Sequence, residues 1–136
     1  MSADRVGEQV TALERTFELA DMIAYAGATW DWHRLHYDAD FLAARRLPAP
    51  IVDGQVFGAL IAAALQDHFG PGAVVRTLEY RFKNVVFAGE RVRVSGDVVH
   101  VSAEGTLLEV SMSVDVVGVS ARPVTVDARA ELLVSA

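Results

Sequence analysis

A carboxylate and an imidazole lie five residues apart in the segment Asp31-Trp32-His33-Arg34-Leu35-His36, and seventeen residues later Asp53-Gly54 opens a long apolar run. An acid, a base and a helix N-terminus that can hold an anion are the groups needed to add water to an activated double bond, or to remove it. Asp and His also serve in loops as caps and turn formers. Gly54 alone is either a turn glycine or an oxyanion donor. Spacing therefore leaves both interpretations open.

Metal binding is a second chemistry that this segment could support. His33 and His36, with Asp31 and Asp38, offer nitrogen and oxygen ligands that suit zinc or iron. The sequence has no His-Glu-x-x-His pattern, no identifiable third distal ligand and no cysteine. We therefore predict no metal site and no cofactor, and the lack of cysteine excludes a disulfide framework.

The composition limits the class of protein. The chain has 136 residues, a hydrophobic fraction of 52% and a net charge of −6, which predicts one globular domain over residues 1–136. It has no run or stripe of basic residues, so nucleic acid is not an expected partner. The N-terminus is polar, and the longest apolar stretch, residues 56–65, is too short to cross a bilayer. We expect a cytoplasmic protein with no membrane partner.

The second half of the chain alternates apolar and polar residues. Strict period two over such lengths predicts β-strands with one buried and one solvated face. Short breaks near Gly89, Gly105 and Gly118 favour antiparallel neighbours. The predicted inward-facing sets are Leu78, Tyr80 and Phe82; Leu108, Val110, Met112, Val114 and Val116; and Val124, Val126, Ala128, Ala130, Leu132 and Val134.

Residues 54–69 leave almost no polar face, which predicts a long helix buried on all sides. A sheet must cover this helix, because apolar area left in water is unfavourable by about 25 cal/mol per Å². We therefore predict an α+β fold in which an antiparallel sheet wraps around a long central helix. Shorter predicted elements are a strand over residues 15–18, a helix over residues 19–27, and a helix over residues 39–46 with Asp38 as its N-cap.

The order of these elements and residues resembles the MaoC-like hydratase/dehydratase family, whose members have the hotdog fold. Its hydratase motif reads approximately Asp-x-Asn-Pro-x-His-x-Asp, followed by a Gly at the head of the central helix. Asp31, His36, Asp38 and Gly54 match these positions. The stretch over residues 80–90 is similar to a later strand and turn of the family.

The chain also departs from the family's pattern. His33 and Arg34 replace Asn-Pro, and Asp53 replaces the His that usually precedes the helix-head Gly. This variant resembles a subgroup of small single-hotdog subunits. Some of these pair with a non-identical MaoC-like partner and act on bulky acyl-CoA esters, including steroid side-chain intermediates.

The resemblance implies a hydro-lyase that reversibly hydrates a trans-2-enoyl thioester to a 3-hydroxyacyl thioester of R configuration. In this interpretation Asp31 and His36 hold the water and exchange the protons, and the N–H of Gly54 holds the enolate oxygen. The substrate would be a thioester of CoA or of an acyl carrier protein, and no separate cofactor is expected. The residues expected to face the substrate are Trp30, Trp32, His33, Arg34 and Asp53.

Other functions remain open at this point. A hotdog acyl-thioesterase needs similar groups, but its acid usually lies on the central helix, where this chain has only Gln55, Gln66 and Asp67. A non-catalytic subunit of a heteromeric hydratase has no need of an intact Asp-x4-His.

Individual side chains also allow two interpretations. Arg34 could pair with Asp38 or reach a carrier phosphate, and the pairing is favoured. Trp30 and Trp32 could wall a substrate tunnel or pack in a core.

Assembly is expected because an uncovered strand edge is an aggregation risk. We predict at least a dimer, either a homodimer or a heteromer with a second MaoC-like subunit, and the variant motif favours the heteromer.

Overall fold

The computed structural model describes residues 2–135. Short helices come before a long central helix, and most of the strands follow it. The elements are β1 (Gln9–Thr16), α1 (Leu19–Thr29), α2 (Ala39–Ala44), α3 (Gln55–Phe69), β2 (Val74–Phe82), β3 (Arg91–Val101), β4 (Leu107–Val117), β5 (Arg122–Pro123) and β6 (Thr125–Leu133), with short 3-10 helices at Ser2–Arg5 and Arg34–His36.

The strands form one antiparallel sheet in the order β1-β3-β4-β6-β2, with β5 beside β4. Helix α3 packs against β1, β2, β3 and β4, so the sheet wraps around it. This arrangement is the hotdog fold, and the predicted α+β class is confirmed. None of the helices within residues 2–135 is long and apolar enough to cross a membrane.

The core forms where the central helix meets the middle of the sheet. Phe57, Ile61 and Leu65 project from α3 and are at most 2% exposed. A large side chain buried in such a position contributes roughly 1.5–3 kcal/mol relative to an exposed one. The alternation predicted for β4 is confirmed, because all five apolar residues of its inward set are buried, namely Leu108, Val110, Met112, Val114 and Val116.

Three predictions about the strands need correction. The first strand is Gln9–Thr16 and not residues 15–18. It is defined by its pairing with β3, whereas its burial pattern is weak because only Val10 is buried. On β2, Phe82 is 58% exposed, although its alternation predicted burial, because β2 is an edge strand. On β6, Val126 is only partly buried, since the next residue, Asp127, has a positive φ of 53° that interrupts the alternation.

The helices also differ from prediction. The central helix is not buried on all sides, because Gln55, Ala59 and Gln66 form a face that the sheet leaves exposed. Helix α1 continues to Thr29, beyond the predicted end at residue 27, and α2 ends at Ala44, before the predicted residue 46.

The far end of α3 is tied to the first strand. The Nδ1 atom of His68 accepts a hydrogen bond from the N–H of Thr11 at 3.1 Å and lies 3.0 Å from the Thr11 hydroxyl, and Nε2 lies 2.9 Å from a Glu8 oxygen. The Arg5 guanidinium, hydrogen-bonded to Glu8, lowers the pKa of that carboxyl to about 2. His68 therefore has a structural role, and the opposite end of α3 is left for the site described next.

Candidate active site

The loop that carries Asp31 is held by hydrogen bonds to its neighbours. Helix α1 ends where Trp30 adopts a left-handed conformation with φ of 58°. The N–H of Asp31 then donates to the carbonyl of Ala26 at 3.1 Å. A few residues on, the Tyr37 hydroxyl donates to the Trp32 carbonyl at 2.9 Å. The direction of the loop is therefore set before any ligand binds.

His36 is buried and its two ring nitrogens have different surroundings. Nδ1 lies 2.7 Å from the carbonyl oxygen of Ile51. A carbonyl can only accept, so Nδ1 carries a hydrogen. Nε2 lies 4.0 Å from an Asp31 oxygen and 3.9 Å from an Asp53 oxygen. Nε2 is therefore the nitrogen that can exchange a proton with a molecule bound between these carboxylates.

Asp53 completes a cluster that the sequence did not predict. Its Oδ1 accepts the N–H of Gln55 at 3.0 Å, at the start of α3. Its Oδ2 is buried and has no hydrogen-bond partner among the described residues. One ligand atom each from Asp31, His36 and Asp53 lies within 4.8 Å of the other two. Asp53 is thus a possible third metal ligand, which sequence spacing alone could not identify.

Gly54 is the N-cap residue of α3, so its N–H has no carbonyl acceptor within the helix. A Cβ atom added here would lie 2.5 Å from the ring of Phe82. The position therefore requires glycine unless that exposed ring moves. Gly54 lines the same open cavity as His36, with a volume of about 310 Å³, and Lys83 and Asn84 also line it.

His36 also lines a second cavity, of about 70 Å³. Its walls are mostly apolar and come mainly from α1, with Val56 from the start of α3, and Asp53 also lines it. Tyr25 also lines it, and burial, followed by the charge on Asp53, raises the pKa of Tyr25 above its usual range. His36 therefore lines both an open cavity and a narrow one, and apolar residues dominate the walls of both.

Neither Asp31 nor the remaining sequence-predicted residues line either cavity. Trp30 is 80% exposed, and the Trp32 ring packs edge-to-face against Trp30 and Tyr37. The His33 ring packs between those of His36 and Phe41. These side chains surround the site on its outer surface.

Arg34 pairs with Asp38 at 2.8 Å, which is the interpretation the sequence favoured. Asp38 also caps α2, as predicted, by accepting the N–H groups of Asp40 and Phe41. The N–H of Phe41, followed by Arg34, lowers the pKa of Asp38.

Fold and site together define a hotdog protein with a carboxylate–imidazole pair at the head of its central helix. The sequence profile of the family described as "MaoC like domain" matches residues 2–119. The chain therefore belongs to the MaoC-like family.

Two curated relatives illustrate this membership. The chain is 31% identical over 85 residues to the (R)-specific enoyl-CoA hydratase of Aeromonas caviae, covering 62% of this chain and 63% of that protein. It is 35% identical over 74 residues to the peroxisomal hydratase-dehydrogenase-epimerase of Saccharomyces cerevisiae, covering 54% of this chain and 8% of that protein. The matched region thus spans less than two thirds of each relative.

Solved structures agree in fold. The (R)-hydratase of A. caviae superimposes with a TM-score of 0.87 at 23% identity, covering 96% of each chain. The ChsH1-ChsH2 complex of Mycobacterium tuberculosis gives a TM-score of 0.78 at 24% identity, covering 96% of this chain and 98% of that one. At such identities the likeness concerns the fold.

The buried His36 bond generates a prediction about stability. His36→Ala leaves the Ile51 carbonyl without its donor, which should cost about 1–3 kcal/mol in the free energy of unfolding. His36→Asn keeps a donor close to the position of Nδ1 and should be the more stable of the two variants. Urea denaturation measures both free energies, and equal values for the two variants would contradict the assigned hydrogen bond.

Proposed function

We propose that the chain reversibly adds water to a trans-2-enoyl thioester, such as an enoyl-CoA, giving a 3-hydroxyacyl thioester of R configuration. The observation that carries this proposal is His36, which lines the same cavity as Gly54 and has its Nε2 atom 4.0 Å from an Asp31 oxygen. Membership of the MaoC-like family and the similarity to an (R)-specific enoyl-CoA hydratase support it.

The chemistry follows from where negative charge develops. As the water oxygen bonds to C3, the electron pair of the double bond moves toward the thioester oxygen. The Gly54 N–H, at the positive end of α3, stabilises that oxygen, and removal of such a donor typically costs about 3–4 kcal/mol. Asp31 takes one proton from the water, and protonated His36 gives one to C2. Transfer of the proton from Asp31 to His36 then restores the starting state.

The substrate divides between the two cavities. The narrow apolar cavity of about 70 Å³ suits a short acyl chain, and the open one suits the carrier, with Lys83 available to a phosphate. A bulky or steroid-derived acyl group needs more room than the narrow cavity offers. Such a group would instead have to extend into the open cavity, where a second subunit could add further walls.

An acyl-thioesterase is the second candidate. One observation favours it: at the start of the central helix, Asp53 has a buried carboxylate oxygen with no hydrogen-bond partner within residues 2–135. The products separate the two functions, because a thioesterase releases a free thiol and a hydratase leaves the thioester intact.

Substitutions at the pair test the proposed chemistry. Asp31→Asn and His36→Asn should each lower turnover of crotonyl-CoA, or of a longer enoyl-CoA, by about a hundredfold or more, because each removes a proton-transfer group. The matched control Asp40→Asn changes an exposed carboxylate in the first turn of α2 and should leave turnover unchanged. Wild-type activity in the double variant, with any partner shown to be inactive, would exclude this site.

We also propose that the reaction needs no metal ion, although Asp31, His36 and Asp53 could bind one. Acid–base groups and an N–H donor account for every step above without a Lewis acid. Activity should survive exhaustive dialysis against EDTA. Stoichiometric zinc or iron in elemental analysis, lost together with activity, would contradict the proposal.

Finally, we propose that the chain works as at least a dimer, and we favour a non-identical MaoC-like partner over a second copy. Edge strand β2 carries exposed Val74 and Phe82, and Lys83 beyond it lines the open cavity. A partner along this edge would therefore cover apolar surface and extend that wall. Two structural neighbours are complexes by their descriptions, ChsH1-ChsH2 and HadBC, both from Mycobacterium tuberculosis.

Light scattering coupled to activity measurements tests the assembly. The chain alone should be a weak or poorly active homodimer, and co-expression with its partner should increase activity. A stable, fully active monomer would exclude the dimer. Full activity of a pure homodimer would exclude only the preference for a heteromer.

A further inference from the structure

One carboxylate oxygen of Asp53, Oδ2, takes no part in the reaction described above. Its side chain is 13% exposed, and its Oδ2 atom is buried without a hydrogen-bond partner among the described residues. A buried carboxylate oxygen without a partner is costly, since its interactions with water are lost. The cap to Gln55 uses only Oδ1. Capping of α3 therefore does not account for the buried Oδ2 atom.

The geometry indicates what Oδ2 binds. It lies 3.9 Å from His36 Nε2, which is 4.0 Å from Asp31 Oδ2. One nitrogen or carboxylate oxygen from each of the three residues lies within 4.8 Å of the other two. A single atom placed centrally in such a triangle is about 2.5 Å from each corner, at the short end of hydrogen-bond distances. A slight outward shift gives a water molecule three normal hydrogen bonds.

We propose that Asp53 is a third catalytic residue, whose Oδ2 atom holds the second O–H of the attacking water. The inference rests on the proposed hydratase function and concerns a position where this chain has Asp in place of the usual His. One O–H bond of the water breaks, and its proton goes to Asp31. The C3–O bond forms, and C2 receives the proton of His36. Asp53 continues to accept a hydrogen bond from the remaining O–H, which becomes the product hydroxyl. It neither gains nor loses a proton.

Holding both hydrogens has a chemical consequence. A water molecule held by one carboxylate can rotate about that bond, and most orientations direct its lone pairs away from C3. Two acceptors on different elements, the loop after α1 and the start of α3, remove this freedom. Fixed orientation of a reactant is a large part of the rate enhancement that enzymes achieve.

The substitution Asp53→Asn separates this role from capping, because Asn retains an oxygen for the N–H of Gln55. We expect kcat for an enoyl-CoA to fall about tenfold to a hundredfold. KM, the affinity for the saturated analogue butyryl-CoA and the melting temperature should stay close to wild type. The matched control Asp67→Asn, an exposed carboxylate near the other end of α3, should change none of these.

Chemical rescue provides a readout that a structural role would not affect. Asp53→Ala leaves a space beside His36, and added formate should raise the kcat of this variant severalfold without raising that of the wild type. Two results would overturn the inference while the proposed function stands. One is an Asp53→Asn variant within twofold of wild-type kcat when Asp31→Asn is inactive. The other is loss of butyryl-CoA binding or of stability in Asp53→Asn, with no formate rescue of Asp53→Ala. A wild-type chain and partner that hydrate no enoyl thioester would refute the proposed function, and this inference with it.

Discussion

The hydrogen bond from His36 Nδ1 to the Ile51 carbonyl is the interaction on which the site depends. It selects Nε2 as the nitrogen that faces Asp31 and Asp53. It also acts with a second bond, because the Ile51 N–H donates to the Leu35 carbonyl at 3.0 Å. These two bonds join the loop after α1 to the segment that leads into α3. His36 and Asp53 are 17 positions apart in the chain, and these bonds hold His36 Nε2 within 4 Å of Asp53 Oδ2.

The segment before α3 is held equally from its other side. The N–H of Val52 donates to the Val86 carbonyl, and that of Ala88 donates to the Pro50 carbonyl, both at 2.8 Å. Residues 50–52 are thus clamped between the His36 loop and the turn after β2. Because Asp53 and Gly54 follow directly, these backbone bonds also fix the positions of the Asp53 carboxylate and the Gly54 N–H.

Periodicity explains how much of this could be predicted from the sequence. The apolar run of α3 and the strict alternation of β4 depend on local pattern, so both elements were placed correctly. Burial of Phe82 on β2 was predicted wrongly because alternation cannot reveal that a strand lies at the edge of a sheet, whereas Leu78 and Tyr80 do pack against the core. The first strand was misplaced because only Val10 of its residues is buried, which leaves almost no alternation to detect.

The site shows the same limit. The motif match selected Asp31, His36 and Gly54, and it left Asp53 as a substrate-facing residue. Whether Asp53 turns toward His36 or toward solvent depends on the clamp, which is made of backbone bonds between distant segments. Sequence spacing contains no information on such bonds. The one available signal was chemical, since Asp stands where a His is usual, and a buried carboxylate costs free energy unless it is paired or hydrogen-bonded.

The most direct test of this account is the fate of water oxygen. Crotonyl-CoA is incubated with the wild-type chain, and its partner if it has one, in water labelled with ¹⁸O. Mass spectrometry and chiral separation then follow the products. The account predicts one ¹⁸O atom in the hydroxyl group of (3R)-3-hydroxybutyryl-CoA, with the thioester intact. Free CoA with ¹⁸O in a released carboxylate, or no incorporation of label at all, would contradict it.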